Sequence, residues 1–129
     1  MPKTVLVAGA VMPRFVILEH DHPERHFDLM LEAGATLRTW RLPALPIDGA
    51  TITAEESFPH RLVYLDYEGP VSGNRGSVIR RQSGEFREIA RSADDWVVAV
   101  PGGTLTLRRV ASSAWTCQFL AGDGGRSTV

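Results

Sequence analysis

Apolar and polar residues alternate along most of this chain, with a period of two. Within 27–31, Phe27, Leu29 and Leu31 fall on one face, while His26, Asp28, Met30 and Glu32 fall on the other. Strand-like runs recur at 14–19, 36–42, 76–82, 85–91, 96–100, 104–110 and 114–120, and Gly84 and Pro101-Gly102-Gly103 punctuate them. Many short strands at close spacing predict an antiparallel barrel or sandwich. The segment 42–59 breaks the pattern: Pro43, Pro46, Asp48-Gly49 and Pro59 read as a loop-rich excursion across one end of the sheet. One short helical turn is expected over 61–66. Residues 1–13 read as an extra strand or arm, 14–120 as one β-rich domain, and 121–129 as a small, polar, flexible tail.

Composition narrows the classes. At 43% hydrophobic and 22% charged, the 129 residues can bury a core, which excludes a disordered chain. No apolar run approaches the ~20 residues of a spanning helix. Lys3 and the apolar stretch 5–12 faintly resemble a leader, but the run is short and Arg14 interrupts it, so a cytoplasmic location is expected. The same stretch resembles the opening strand of a dinucleotide fold, but after Gly9 the next glycine is Gly34, so no phosphate-cradling glycine pattern follows it. Fourteen basic against 15 acidic residues give a net charge of −1, without the basic excess usual in nucleic-acid binders. Thirteen of those 14 cations are arginine, the better partner for forked contacts with phosphate or carboxylate. The single cysteine, Cys117, alternates with Trp115 and Phe119 and is read as a small core residue.

Candidate chemistry concentrates in the histidines, all four of which lie in the first half of the chain. If 21–25 is a hairpin loop with Pro23 in its turn, His20 and His26 end the two strands and face each other. Directly opposed Cβ atoms lie ~5 Å apart, and Asp28, two residues along the same face, is within reach of both. Two imidazoles and a carboxylate converging in this way could bind a divalent transition metal. Surface histidines near a loop are the plainer alternative, and His22 at the turn tip is expected to be solvated. A helical turn after Pro59 would set Tyr64 four residues from His60 on the same side; a core tyrosine is the plainer reading of that residue.

Taken in order, Phe15-Val-Ile-Leu-Glu-His20, His26-Phe-Asp28, Leu31-Glu32, Leu37-Arg-Thr-Trp40, Pro43 and His60-x-Leu-x-Tyr64-x-Asp-Tyr-Glu-Gly69, with Gly73-Asn74 and Gly76 behind, form one series. This series resembles the 3′-phosphoesterase domain of bacterial DNA ligase D, over roughly 14–120. The resemblance implies an all-β fold, mainly an antiparallel β-barrel with one or two short helical turns. It implies a manganese-dependent enzyme (or one using another divalent transition metal) that trims nucleic-acid 3′ ends, removing a terminal ribonucleoside and then the 3′-phosphate. By the same resemblance His20, His26 and Asp28 are metal ligands, His60 contacts the scissile phosphate, and Tyr64 completes the site. Activity is then expected to fall at acid pH, since metal binding needs neutral imidazoles. A DNA ligase or polymerase partner would act in trans, and no membrane is implied.

Three positions depart from the family pattern. Met30 stands where a phosphate-holding arginine is expected, Ala44 where a lysine is expected, and Ile52 where another arginine is expected. Each lost charge-assisted contact is worth ~1.5–3 kcal/mol, so an unreplaced set would slow phosphoryl chemistry by orders of magnitude. Arg38, at a family-like basic position, and Arg61 are the candidate phosphate-binding replacements, with Arg41 and Arg75 as further rim candidates. On a regular strand Arg41 points opposite to Arg38 and Trp40, which ranks it behind them. Two other readings remain. One is a non-catalytic, metal-binding relative serving as a nucleic-acid-end or protein-binding module. The other takes His26-x-Asp28 with His60 as a non-haem iron triad, which leaves His20 and Tyr64 unexplained.

Overall fold

The computed structural model describes residues 12–122. The expected arm over 1–13, except for its last two residues, and the tail from 123 onward lie outside the described residues. Ten strands form one antiparallel sheet: β1 (Arg14–His20), β2 (His26–Ala33), β3 (Thr36–Leu42), β4 (Thr51–Arg61), β5 (Gly69–Pro70), β6 (Ser77–Glu85), β7 (Arg87–Arg91), β8 (Asp95–Val100), β9 (Gly103–Ala111) and β10 (Ala114–Ala121). Their spatial order is β5-β6-β1-β2-β3-β4-β10-β9-β8-β7. A 3-10 turn over Leu62–Leu65 is the one helical element among the described residues.

The all-β expectation holds; the barrel description holds only loosely. The hydrogen-bonded ladder is not closed. However, β6 near one end of the order and β7 at the other are separated in the chain by Phe86 alone. That stretch pairs with β1 through its first half and with β8 through its second, so the covalent chain joins the two ends of the curled sheet.

The loop expected over 42–59 is corrected by β4, which occupies Thr51–Arg61 between β3 and β10. Pro59 sits inside this strand because the ladder has a bulge there. Two steps along β3, from Leu37 to Thr39, face three along β4, from His60 to Ser57, so 58–59 holds one extra residue. A proline lacks the N–H that a regular ladder position needs, and a bulge relieves that demand. The irregular connection shrinks to 43–50.

Alternation sets the inner face. Phe15, Ile17, Phe27, Leu29, Leu31, Trp40, Leu42, Trp96, Leu107, Trp115 and Cys117 form the main core. Three tryptophans anchor it, with Trp40 5.4 Å from Trp115 and 6.1 Å from Trp96, both edge-on. Burial pushes the Cys117 thiol up to about 12, which fits the core reading of an inert cysteine. A second cluster, Val16, Leu18, Met30, Leu37, Leu65 and Val78, lies on the opposite face of β1–β3. Tyr64, Tyr67 and Val71 of the connection after β4 pack against it. Strands β1 and β2 are therefore buried on both faces, which makes them the firmest base in the molecule for a side-chain constellation. No described helix is long and apolar enough to cross a membrane.

Candidate metal centre and active-site cleft

The buried polar side chains of the described residues are His26, Asp28 and Thr39, and all three lie on the outer face of β2 and β3. Burying such groups costs free energy unless partners compensate, so their grouping calls for a chemical reason. The β1–β2 register pairs His20 with His26 and Leu18 with Asp28. The two imidazole rings sit 5.0 Å apart, edge to face.

Hydrogen bonds fix which nitrogens are free. His20 Nε2 lies 2.8 Å from the carbonyl of Arg75, and His26 Nδ1 lies 2.7 Å from the carbonyl of Glu24. A carbonyl only accepts, so each of these nitrogens is assigned the proton and donates it. The lone pairs are left on His20 Nδ1 and His26 Nε2, which stand 3.9 Å and 3.3 Å from the same carboxylate oxygen, Asp28 Oδ2. His26 Nε2 is buried and has no hydrogen-bond partner among the described residues. One ligand atom from each of the three residues lies within 4.8 Å of the others. Two lone pairs and a carboxylate facing one another repel unless a cation stands between them. Backbone carbonyls orienting the outer N–H groups are the usual support of metal-binding histidines. This nitrogen and oxygen donor set fits a divalent transition metal.

The support for His20 reaches into the 72–76 loop. Gly76 has φ +75°, and a Cβ there would meet Asp21 Oδ1 at 2.1 Å and the His22 Cβ at 2.7 Å. Asp21 Oδ1 in turn accepts from the Ser77 amide at 2.8 Å. Only glycine lets the loop close onto the hairpin and bring the Arg75 carbonyl to His20.

Above His20 and Asp28 opens a cleft of about 470 Å³, whose walls also include Arg41, Phe58, His60 and Tyr64. His60 enters from the end of β4, directly after the bulge. Its Nδ1 lies 3.0 Å from the Phe58 carbonyl and 2.9 Å from Thr39 Oγ1, while that hydroxyl donates to the Leu37 carbonyl at 3.1 Å. With the proton on Nδ1, Nε2 is the free nitrogen of neutral His60. Tyr64, on the 3-10 turn, stands edge-on to His60 with ring centroids 5.7 Å apart. Arg14 of β1 holds the end of that turn through Asp66 at 2.6 Å.

Burial lowers the pKa of His60 below its ordinary 6.5; Asp28 opposes that shift, and Arg41 adds to it. The unfolded chain therefore takes up a proton that the native site refuses. His60's contribution to stability is complete above about pH 6.5 and is lost as pH falls from there to the folded-state value. His60→Gln is expected to flatten this part of the stability curve, read as urea midpoints of metal-free protein between pH 7.5 and 5.5.

Of the candidate arginines, Arg38 is placed differently from the sequence expectation. Arg38 shares the inner face with Trp40, its guanidinium 4.8 Å from that ring and 2.7 Å from Glu56 Oε2, and does not line the cleft. Arg41, ranked behind it, is the residue directly opposite Asp28 in the β2–β3 register and does line the cleft. Arg61 and Arg75 also line it, with the Arg75 guanidinium donating to the Ser72 carbonyl at 2.7 Å. Neither Arg41 nor Arg61 makes an ion pair among the described residues. Met30 is part of the apolar floor, Ala44 is exposed on the 43–50 connection, and Ile52 packs against the main core. His22, expected in solvent, is half-buried on the cleft wall with its ring 6.3 Å from His20.

Fold and cleft together define an all-β domain with a donor cluster of two histidines and an aspartate beside a third histidine and a tyrosine. Residues 18–114, most of the chain, match the family described as the DNA ligase D 3′-phosphoesterase domain, and the chain belongs to that family. No curated protein matches it.

Proposed function

We propose that this protein is a metal-dependent 3′-phosphoesterase acting on nucleic-acid 3′ ends that carry a phosphate or a terminal ribonucleotide. The observation that carries the reading is the buried His26 Nε2, without a partner and aimed with His20 Nδ1 at Asp28. A divalent metal, manganese by family resemblance, would supply neutralisation of phosphoryl oxygens and a more acidic bound water. His20, His26 and Asp28 would hold it.

The chain's own groups divide the remaining work. His60 keeps a proton on Nδ1 through Phe58 and Thr39, and so presents Nε2 toward the scissile phosphate. A phosphate placed there raises the basicity of His60, which takes up a proton from solvent on Nε2 and then donates it to the developing charge. Tyr64 fixes the other side of that imidazole. Arg41, Arg61 and Arg75 ring the cleft as cations in place of those missing at 30, 44 and 52. Such an activity belongs to DNA end repair, with a ligase or polymerase acting on the healed hydroxyl.

One observation favours a second reading: the position of the expected phosphate clamp is the buried methyl-thioether of Met30. A non-catalytic module that binds ends would need no such clamp. The test is a primer–template bearing a 3′-phosphate, incubated with manganese and then with chelator. Metal-dependent release of phosphate is expected. No release from a protein that still binds metal moves the assignment to the end-binding module.

A further inference from the structure

Phe58 is 68% exposed, whereas the phenylalanines of the core, Phe15, Phe27 and Phe86, are buried. Folding alone gives no reason for a phenyl ring in solvent on a central strand. Three features of its setting do. The β4 bulge at 58–59 breaks the alternation, and bulges beside functional sites commonly re-aim a side chain. The ring lies flat on His60, with centroids 4.7 Å apart and planes 12° from parallel. It also forms part of the cleft wall beside that histidine. The Phe58 carbonyl and Thr39 hold the His60 ring, so the aromatic pair is set in place before any ligand arrives.

We propose that Phe58 is the stacking platform for the nucleobase of the 3′-terminal nucleotide. One face of the phenyl is covered by His60 while the residue as a whole stays 68% exposed, and a nucleobase is the flat apolar surface that a nucleotide end offers to it. The terminal phosphate and the base of one nucleotide would then meet adjacent groups, the phosphate at His60 and the base at Phe58. Stacking reads a π-face common to all four bases, so the platform selects for the presence of a base and not for its identity. This assignment rests on the proposed function and adds the substrate feature that the cleft recognises.

The test measures binding of two short single strands, both 3′-phosphorylated, by fluorescence anisotropy in chelator. One ends in an ordinary nucleotide and the other in an abasic sugar. Phe58→Ala is expected to weaken the ordinary end by about tenfold, within the range for loss of one stacked base, and to leave the abasic end nearly unchanged. Phe58→Trp should keep the affinity, and Phe58→Leu, apolar without a π-face, should lose it. Equal losses on both ends, no loss on either, or no binding by the unmutated protein would overturn the platform. Metal-dependent phosphate release with equal losses on both ends overturns the platform and leaves the phosphoesterase reading standing. A base-dependent loss in a protein that releases no phosphate supports the platform and removes the catalytic reading.

Discussion

Replacing His26 with alanine will remove specific metal binding while the fold survives. His26 is 5% exposed, and the nitrogen it aims at Asp28 has no other partner. Loss of an outer hydrogen-bond partner of a metal ligand costs roughly 10–100-fold in affinity, and loss of the ligand itself should exceed that. Titration calorimetry with manganese and with zinc reads the effect directly, one ion per chain before the change and none measurable at the same concentrations after it. Asp28→Asn keeps the shape of the site and removes its charge, so it should weaken binding by a similar order. A β-rich circular dichroism spectrum retained by both variants separates ligand loss from unfolding. Unchanged binding in both would show that the hairpin cluster is not the metal centre.

The largest loss of stability is expected from Trp40→Ala. Trp40 is fully buried, touches both other tryptophans edge-on and lies beneath the Arg38 guanidinium. Truncating a buried tryptophan costs about 3–5 kcal/mol, a large share of the stability of a domain this size. Trp40→Phe should cost much less, because the indole Nε1 has no hydrogen-bond partner to lose. Phe58→Ala, on the exposed cleft wall, should stay within about 0.5 kcal/mol of the original. Urea midpoints for the three variants give the comparison. A loss of under about 1 kcal/mol for Trp40→Ala would contradict the place given to the tryptophan cluster in the core.

Much of this architecture follows from period-two patterning. The alternation in 27–31 separates the inner set, Phe27, Leu29 and Leu31, from the outer set, His26, Asp28 and Met30, as the two clusters show. The hairpin at Pro23 and the facing of His20 and His26 were equally legible, because a five-residue loop between alternating runs leaves little freedom of register. The same arithmetic, carried one strand further, locates the arginines. Asp28 pairs with Arg41, so Arg41 shares the face of Asp28 and Arg38 shares the face of Trp40. Alternation alone sets the parity of Arg41 against Arg38, whereas which parity meets the cleft follows from the β2–β3 register.

What stayed hidden depends on long-range pairing. Prolines at 43, 46 and 59 argued for a continuous loop, yet Thr51–Arg61 forms a strand because β3 and β10 flank it and a bulge accommodates Pro59. No local signal announces that bulge, and with it the outward aim of Phe58. The half-burial of His22 depends in turn on Gly76, 54 residues away in the chain, closing over the hairpin.

The proposed function depends above all on a metal site assembled by the β1–β2 hairpin. Diffraction from crystals soaked in manganese, recorded for the anomalous signal of that metal, tests it most directly. One strong peak is expected, touching His20 Nδ1, His26 Nε2 and the Asp28 carboxylate, with the His60 ring beside it and not bonded to it. A peak elsewhere on the molecule, or none at this hairpin in a protein that requires manganese for turnover, would contradict it.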